Sequence, residues 1–213
     1  MYLVTVDKEQ EDRGALAEAA GLLARGGIGV IPTDTVYGLA ALASSEAAVE
    51  RLESIKARPA EKPFPIHVPG MRQAERLAYL DPVAGALARR FWPGPLTLVL
   101  PRRPGVELSG GDAATIGLRV PDCWVCLALA DVAGPLVVPS ANFAGEPAPA
   151  SFDQVSGALL ELVDFAIDAG RCDGGVESTV ADLTEGIEVL REGAIPAAEV
   201  RRIAGAAGGK RAP

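Results

Sequence analysis

The chain of 213 residues predicts a single α/β domain, in which helices pack on a twisted mixed sheet. Short apolar runs of strand length alternate with segments whose apolar residues recur at helical spacing. Three strand-like runs then follow one another closely towards the C-terminal end. At least one strand pair must therefore be antiparallel, because a parallel pair needs a long crossover connection. Hydrophobic residues make up 49 % of the chain, which is ample material for a core.

Local patterns place the expected helices. Leu16, Ala19 and Leu23 share one face of a helix that Gly26 and Gly27 end. Either Ser44 or Ser45 can cap the next helix, whose apolar face ends at Ile55. Pro82 begins another, and the Pro-Gly-Pro sequence at 93–95 follows its end. The expected helices are 12–25, 45–55, 82–91, 122–130, 152–163 and 197–203.

The remaining apolar runs are expected to be strands. They cover residues 2–6, 28–32, 66–68, 96–100, 115–120, 136–139, 165–168, 178–183 and 187–190. The domain is predicted to span residues 1–205, and the glycine-rich segment 206–213 is predicted to be a disordered tail.

Composition narrows the class of function. The formal net charge of -8 argues against tight nucleic-acid binding, although a local cluster of cations could still hold a small anion. No stretch is long and apolar enough to span a bilayer, and the first residues do not read as a secretory signal. We therefore expect a cytoplasmic protein without a membrane partner.

Three cysteines are present, two of them in the CxxC sequence of Cys123 and Cys126. A redox pair or half a zinc site would have this spacing. The sequence lacks the further residues that either site would need, because there is no second CxxC and His67 is the only histidine. We expect two small residues on the first turns of a helix.

Four polar segments lie where strands should meet loops. PTDTVYGLAA places the hydroxyls of Thr33, Thr35 and Tyr37 directly after a buried strand, which favours a ligand site over an ordinary turn. KARPAEKPFPIHV holds Lys56 and Arg58 among three prolines, and a rigid backbone around cations suits phosphate or carboxylate binding. The alternative without a ligand is that these two cations simply stabilise the C-terminus of a helix. His67 closes this segment, and a lone histidine on a strand is more often structural.

The other two segments are ambiguous in the same way. In VVPSANFAGEP, Ser140 and Asn142 can bind phosphate or ribose, or can simply close a turn. In AGRCDGGVESTVADL, glycines precede Ser178 and can form an anion-binding nest. Arg119 and Arg191 each end an apolar run, where they are either site cations or solvated strand ends.

Several common catalytic motifs are absent. The chain has no GxxxxGK[ST] loop, no complete dinucleotide fingerprint, no HExxH sequence and no GxSxG elbow. Walker-type nucleotide sites, zinc proteases and hydrolase triads therefore fit poorly.

Seven blocks, in this order, resemble the YrdC-like family of threonylcarbamoyl-AMP synthases. They are PTDTVYGL, KARPAEKPFPIHV, FWPGPLTLVL, TIGLRVP, VVPSANFAGEP, GGVESTVAD and VLREGAI. The resemblance runs from about residue 26 to 195 and matches the short form of the family. It implies a YrdC-like fold with a concave basic pocket.

The resemblance also implies a nucleotidyltransferase reaction. L-threonine and bicarbonate would give threonylcarbamate, which would attack the α-phosphate of ATP and release pyrophosphate. The product would pass to tRNA-modifying proteins that make threonylcarbamoyladenosine. Mg²⁺, bound mainly through triphosphate oxygens, would be the accompanying ion. Such a reaction needs charge neutralisation and positioning more than a protein nucleophile.

The family resemblance assigns roles to particular residues. The catalytic set would be Lys56, Arg58, Ser140 and Asn142, which would also bind the nucleotide. The remaining assignments are threonine contacts by Thr33, Tyr37, His67, Thr115 and Ser178, and nucleotide contacts by Arg119 and Arg191.

The sequence departs from the family pattern at two positions, and two other functions are possible on the same fold. The family often has serine where Ala144 stands and histidine near Cys123, which puts details of loop packing in doubt. An RNA-binding or ribosome-associated module on the same fold is one alternative, against which the net charge counts. A paralogue that handles another carbamoylated compound or has lost activity is the other.

Overall fold

The fold is described from a computed structural model, which covers residues 1–7, 10–57, 64–109, 112 and 114–208. Within these residues one large mixed sheet forms, with the strand order β1-β8-β2-β3-β7-β4-β6-β5-β9-β10. The strands are β1 (Tyr2–Thr5), β2 (Ile28–Ile31), β3 (Gly38–Leu42), β4 (Ile66–His67), β5 (Leu96–Pro101), β6 (Thr115–Arg119), β7 (Leu136–Val137), β8 (Phe165–Asp168), β9 (Thr179–Asp182) and β10 (Glu188–Arg191). The predicted α/β class is confirmed, and β9 and β10 pair antiparallel as expected.

Helices cover both faces of the sheet. They are α1 (Ala17–Ala24), α2 (Glu46–Lys56), α3 (Met71–Leu77), α4 (Pro82–Phe91), α5 (Trp124–Ala133), α6 (Gly157–Leu160) and α7 (Ala197–Ala207). Two short 3-10 turns, Arg13–Leu16 and Phe152–Gln154, precede α1 and α6. No helix within the described residues is both long enough and apolar enough to cross a bilayer.

Several element predictions are confirmed. Ser45 caps α2, since its Oγ accepts a hydrogen bond from the amide of Ala48. Pro82 begins α4, with the carboxylate of Asp81 as its cap. The start of each of these helices can therefore be read from its own sequence, because the capping side chain and the proline at the first helical position act locally.

Two predictions were wrong, and two elements were missed. The expected helix over 152–163 is a 3-10 turn followed by the single turn of α6. Strand β3 was missed because segment 38–42 is rich in glycine and alanine, which are depleted in strands. Helix α3 was missed as well. Helix α7 continues to Ala207, so the first residues of the predicted tail are helical. Residues 209–213 lie outside the described part of the chain.

The two faces of the sheet have separate cores. Buried residues of α2, α3, α4 and α7 join the larger core on one face. On the other face α1 and α5 form a smaller core over β8, β2, β3 and β7. Strand alternation divides the side chains, so Val30 of β2 joins the first core and Ile31 joins the second. Helices α1 and α5 leave the β4-β6-β5-β9 half of this second face uncovered, and that half is the floor of the candidate site.

Candidate active site

A cavity of about 800 Å³ lies over the uncovered half of the sheet. Alternate residues of the strands face it, and they include His67 of β4, Gly117 of β6, Thr97 of β5 and Val180 of β9. The volume suits a ligand of nucleotide size. Most of the predicted site residues line this cavity: Thr33, Lys56, His67, Arg119, Ser140, Asn142, Ser178 and Arg191.

Lys56 is the last residue of α2, and its side chain reaches the turn that follows β7. Its Nζ donates to the carbonyl oxygen of Ser140 at 2.9 Å and to Oδ1 of Asn142 at 2.7 Å, and also to the Asn142 carbonyl. Lys56 is buried, with 8 % of its surface exposed. Its ammonium group therefore orders the turn as well as charging the cavity.

The turn from Ser140 to Glu146 is closed by its own side chains. The hydroxyl of Ser140 donates to Oδ1 of Asn142 at 2.7 Å, and Nδ2 of Asn142 donates to the Glu146 carbonyl. The sequence left open whether these residues bind a ligand or make a turn. They make the turn and also line the cavity, so the turn is confirmed, and ligand binding by the same side chains stays a prediction.

Arg119 ends β6 inside the protein. Only 3 % of its surface is exposed, so the alternative of a solvated strand end was wrong. The guanidinium donates to the Gly94 carbonyl at 3.1 Å and to the hydroxyl of Thr35 at 3.1 Å, and it forms an ion pair with Asp34. These contacts fix a buried positive charge at the cavity wall.

The hydroxyls that follow β2 form a compact turn. Those of Thr33 and Thr35 share a hydrogen bond of 2.9 Å, and Thr33 also donates to the Val36 carbonyl at 2.7 Å. The amides of Thr35 and Val36 donate back to the Thr33 hydroxyl. Thr33 and Thr35 both line the cavity, as the hydroxyl-rich sequence suggested.

His67 lies at the border between the cavity and the smaller core. Its Nδ1 is 3.4 Å from the Sγ of Cys126. Burial, together with the nearby charge of Arg119, lowers the pKa of His67 well below its ordinary value. The imidazole is therefore neutral at physiological pH, with one ring nitrogen that can donate a hydrogen bond and one that can accept.

The cysteines behave as the sequence predicted. None of Cys123, Cys126 and Cys172 forms a disulfide, and Cys126 is fully buried on the first turn of α5. Burial raises the pKa of Cys123 to about 11 and also raises that of Cys126. The described residues contain no cluster of three or more His, Cys, Asp and Glu side chains suited to a metal ion. Cys123 and Cys126 lie at the start of α5 and pack against the smaller core, which confirms the predicted position at the start of a helix.

The last wall is built by β9 and β10. Arg191 donates to the carbonyl of Ser178 from Nε at 3.1 Å and from Nη2 at 3.0 Å, and Nη2 also reaches the Ser178 hydroxyl at 3.2 Å. Its Nη1 pairs with Glu177 at 2.9 Å. Ser178 and Thr97 share a buried hydrogen bond of 3.0 Å between their hydroxyls. Ser178 and Arg191, both of them predicted site residues, thus line the cavity side by side.

Two predicted threonine contacts do not reach it. Tyr37 is fully buried, and its hydroxyl donates to the Gly170 carbonyl and accepts from the amide of Ala169. Thr115 begins β6, and its hydroxyl donates to Asp112 at 2.9 Å. Neither side chain lines the cavity. In this structure buried or local hydrogen bonds occupy both hydroxyls, and the threonine contacts that the resemblance implies for them stay predictions. Arg58 lies outside the described residues.

Sequence reasoning missed Thr97, Gly117 and Glu177 among the residues that line the cavity. Thr97 had a readable signal, because it is the polar member of an otherwise apolar strand-like run. Gly117 had a weaker one, since glycine in a strand often marks close approach. Glu177 precedes Ser178 without any pattern of its own.

Comparison with known proteins identifies the family of this chain. The model of the Sua5/YciO/YrdC family, described as "Telomere recombination", matches residues 21–193. The threonylcarbamoyl-AMP synthase of Pyrococcus abyssi is 40 % identical over 96 % of this chain, which spans 62 % of that protein's length. A putative threonylcarbamoyl-AMP synthase of Mycobacterium leprae is 40 % identical over 93 % of this chain and 91 % of its own.

A solved structure shares the fold. The crystal structure of P. abyssi Sua5 complexed with L-threonine has a TM-score of 0.88 and 38 % identity. The match covers 95 % of this chain and 61 % of that one.

Proposed function

Because this chain belongs to the Sua5/YciO/YrdC family, we propose that it is a nucleotidyltransferase that makes threonylcarbamoyl-AMP from L-threonine, bicarbonate and ATP. One observation carries the proposal beyond family membership. Three cations, Lys56, Arg119 and Arg191, face one cavity together with the hydroxyl- and amide-bearing turn at Ser140 and Asn142. The P. abyssi relative, whose fold is shared, binds L-threonine in its crystal structure.

The proposed reaction has two balanced steps. The neutral amine of threonine attacks the carbon of bicarbonate, a nitrogen–carbon bond forms, and water leaves to give the carbamate. A carbamate oxygen then attacks the α-phosphorus of ATP, and the bond between that phosphorus and the bridging oxygen breaks to release pyrophosphate. Neither step needs a protein nucleophile, so binding and charge neutralisation supply the catalysis.

The residues that line the cavity are suited to binding the substrates and neutralising their negative charge. Lys56 brings a positive charge to the Ser140 turn, where developing negative charge on phosphate oxygens would be stabilised. Arg191 lies at the opposite wall and can meet phosphate oxygens through its planar guanidinium. We assign Arg58 to the same group on the family resemblance alone.

We also propose that Mg²⁺ enters with ATP. Glu177 is the one carboxylate among the described residues that line the cavity. A Mg²⁺ ion bound chiefly through substrate phosphates fits such a site, because Mg²⁺ commonly relies on phosphate oxygens, water and few carboxylates. Its chemistry would be to neutralise the triphosphate charge. Delivery of the product to tRNA-modifying proteins and a cytoplasmic location complete the proposal.

The test is pyrophosphate release by the purified chain, with identification of the product by mass spectrometry. We expect release only when ATP, L-threonine and bicarbonate are all present. Release that continues without threonine or without bicarbonate would contradict the assignment. Strong, salt-sensitive RNA binding without ATP turnover would favour the alternative of an RNA-binding module.

Matched serine variants then locate the site. Ser140→Ala should lower turnover, since its hydroxyl lines the cavity and orders Asn142. Ser156→Ala is the control, because Ser156 precedes α6, makes no capping side-chain hydrogen bond and does not line the cavity. Equal turnover in the two variants would mean that the reaction takes place elsewhere.

A further inference from the structure

The glycine at position 117 lies in the middle of the cavity floor. It belongs to β6, where it pairs with Val99 of the neighbouring β5. Glycine in a strand interior is unfavourable, because it loses more backbone entropy than alanine and offers no side chain to pack. A glycine in this position is expected only where a Cβ atom would clash with the protein, where the backbone conformation excludes other residues, or where a ligand needs the space.

Packing explains the other strand glycines within the described residues. A Cβ on Gly29 would lie 2.1 Å from the ring of Phe165. A Cβ on Gly38 would lie 2.4 Å from a methyl group of Val138. Both distances are far below van der Waals contact, so the protein itself requires glycine at these positions.

Gly117 differs from both. A Cβ there would meet only Cγ2 of Thr97 at 3.7 Å and Cα of Pro65 at 3.8 Å, which are ordinary contact distances. Its φ is not in the left-handed region either, since Gly117 is absent from the positive-φ glycines. Neither packing nor backbone conformation therefore requires glycine. What remains is the cavity, into which a Cβ at this position would project.

The surroundings of Gly117 indicate which part of a ligand approaches it. Thr97 and Ser178 share one hydrogen bond, and Arg191 donates to the Ser178 hydroxyl. Two hydroxyl protons are available and one joins the pair. Among the described contacts the second proton has no acceptor, so it can be donated to a ligand. Val99, Val180 and Pro65 supply apolar surface beside this donor.

From these contacts we infer that Gly117 determines substrate specificity by leaving room for the side chain of a β-hydroxy amino acid. The Thr97–Ser178 pair reads the hydroxyl group of that side chain, and the apolar floor accepts its methyl group. A polyphosphate would instead meet the cations on the cavity walls. The inference rests on the proposed function, because it assigns the amino-acid half of that reaction to a particular part of the floor.

The experiment compares Gly117→Ala and Gly117→Val with the unchanged chain. Gly205→Ala is the control, because Gly205 lies on α7 away from the cavity and a Cβ there meets nothing within 4 Å. Thermal melts, calorimetric binding of L-threonine, and kcat/KM for L-threonine, L-serine and ATP are measured for each. Pyrophosphate release by the unchanged chain is established first, so a failure of the proposed function is seen separately.

We expect Gly117→Ala to fold with an unchanged or higher Tm. Its kcat/KM for L-threonine should fall about tenfold or more, the loss expected when about one methylene no longer fits a pocket. Gly117→Val should fall further. The preference for threonine over the smaller serine should shrink, and KM for ATP should stay constant. In the unchanged chain L-valine, which lacks the hydroxyl, should be a far poorer substrate than L-threonine.

Three results would overturn the inference. A Gly117→Ala protein that does not fold would show that packing requires the glycine after all. Unaltered binding and turnover of threonine in a folded variant would show that no ligand approaches this position. A raised KM for ATP with threonine binding intact would assign this part of the floor to the nucleotide.

Discussion

The ion pair between Asp34 and Arg119 should be a principal support of the cavity wall. The side chains are 10 % and 4 % exposed, so water cannot compensate a lone charge at this position. Removal of Asp34 would leave Arg119 with only the Gly94 carbonyl and the Thr35 hydroxyl, each at 3.1 Å, as neutral acceptors. Breaking a buried pair by removing one partner typically costs about 3–5 kcal/mol.

We therefore expect Asp34→Ala to lower the free energy of unfolding by about 3–5 kcal/mol. For a chain of this size each kcal/mol corresponds to about 2–4 °C in Tm, so the melt should shift down by about 6–20 °C. Urea titration and thermal melts followed by circular dichroism measure both quantities. Because Arg119→Met removes the stranded charge, the double variant should be more stable than the sum of the single losses predicts.

The exposed pair of Arg25 and Glu18 is the matched control. Their side chains are 62 % and 57 % exposed, and such pairs contribute only about 0–1 kcal/mol. Glu18→Ala should therefore change stability little. If Asp34→Ala cost no more than this control, or if the losses at Asp34 and Arg119 were simply additive, the ion pair would not be what holds Arg119 in place.

Three further predictions follow from buried contacts. Lys56→Met should lower kcat about 100-fold or more and cost about 1–3 kcal/mol of stability, because its ammonium is lost to the phosphate site and to the turn at Asn142; turnover assays and urea titration check both. Burial and the nearby Arg119 lower the pKa of His67 in the folded protein, so its contribution to stability is present above the unfolded pKa of about 6.5 and is lost as pH falls below it. His67→Gln should therefore make the free energy of unfolding depend less on pH between about pH 5 and 7. Gly29→Ala should cost about 1–3 kcal/mol through its clash with Phe165, and Phe165→Leu in the same chain should restore part of that loss in thermal melts.

The sequence was informative where structure depends on nearby residues. The boundaries of α2 and α4 follow from Ser45, Asp81 and Pro82, which act within one helical turn. The expected helix over 152–163 failed for the opposite reason. Apolar residues there have helical spacing, but the amide of Phe152 bonds to the Gly170 carbonyl and Ser151 forms a bridge with Arg171. Tertiary pairing overrode local periodicity, and such pairing cannot be read from the segment itself.

The candidate site shows the same division. Ser140 and Asn142 could be predicted because strand ends rich in polar groups favour ligand sites. The hydroxyls of Tyr37 and Thr115 looked equivalent in the sequence, but their partners are Gly170 and Asp112, which the sequence does not connect to them. Thr97 and Gly117 of the cavity floor were missed because they join the predicted His67 only through the register of neighbouring strands.

The cavity and the fold depend on the same contacts, and this determines how variants must be interpreted. Helices α1 and α5 cover half of one sheet face, and the cavity occupies the other half. At the border the His67–Cys126 contact and the Asp34–Arg119 pair face the covered core on one side and the cavity on the other. A loss of activity after changing these residues therefore combines lost chemistry with lost stability. Gly117 has no such double role, since ordinary contacts surround it. Its variants can separate ligand fit from folding, which changes at the buried cations cannot do.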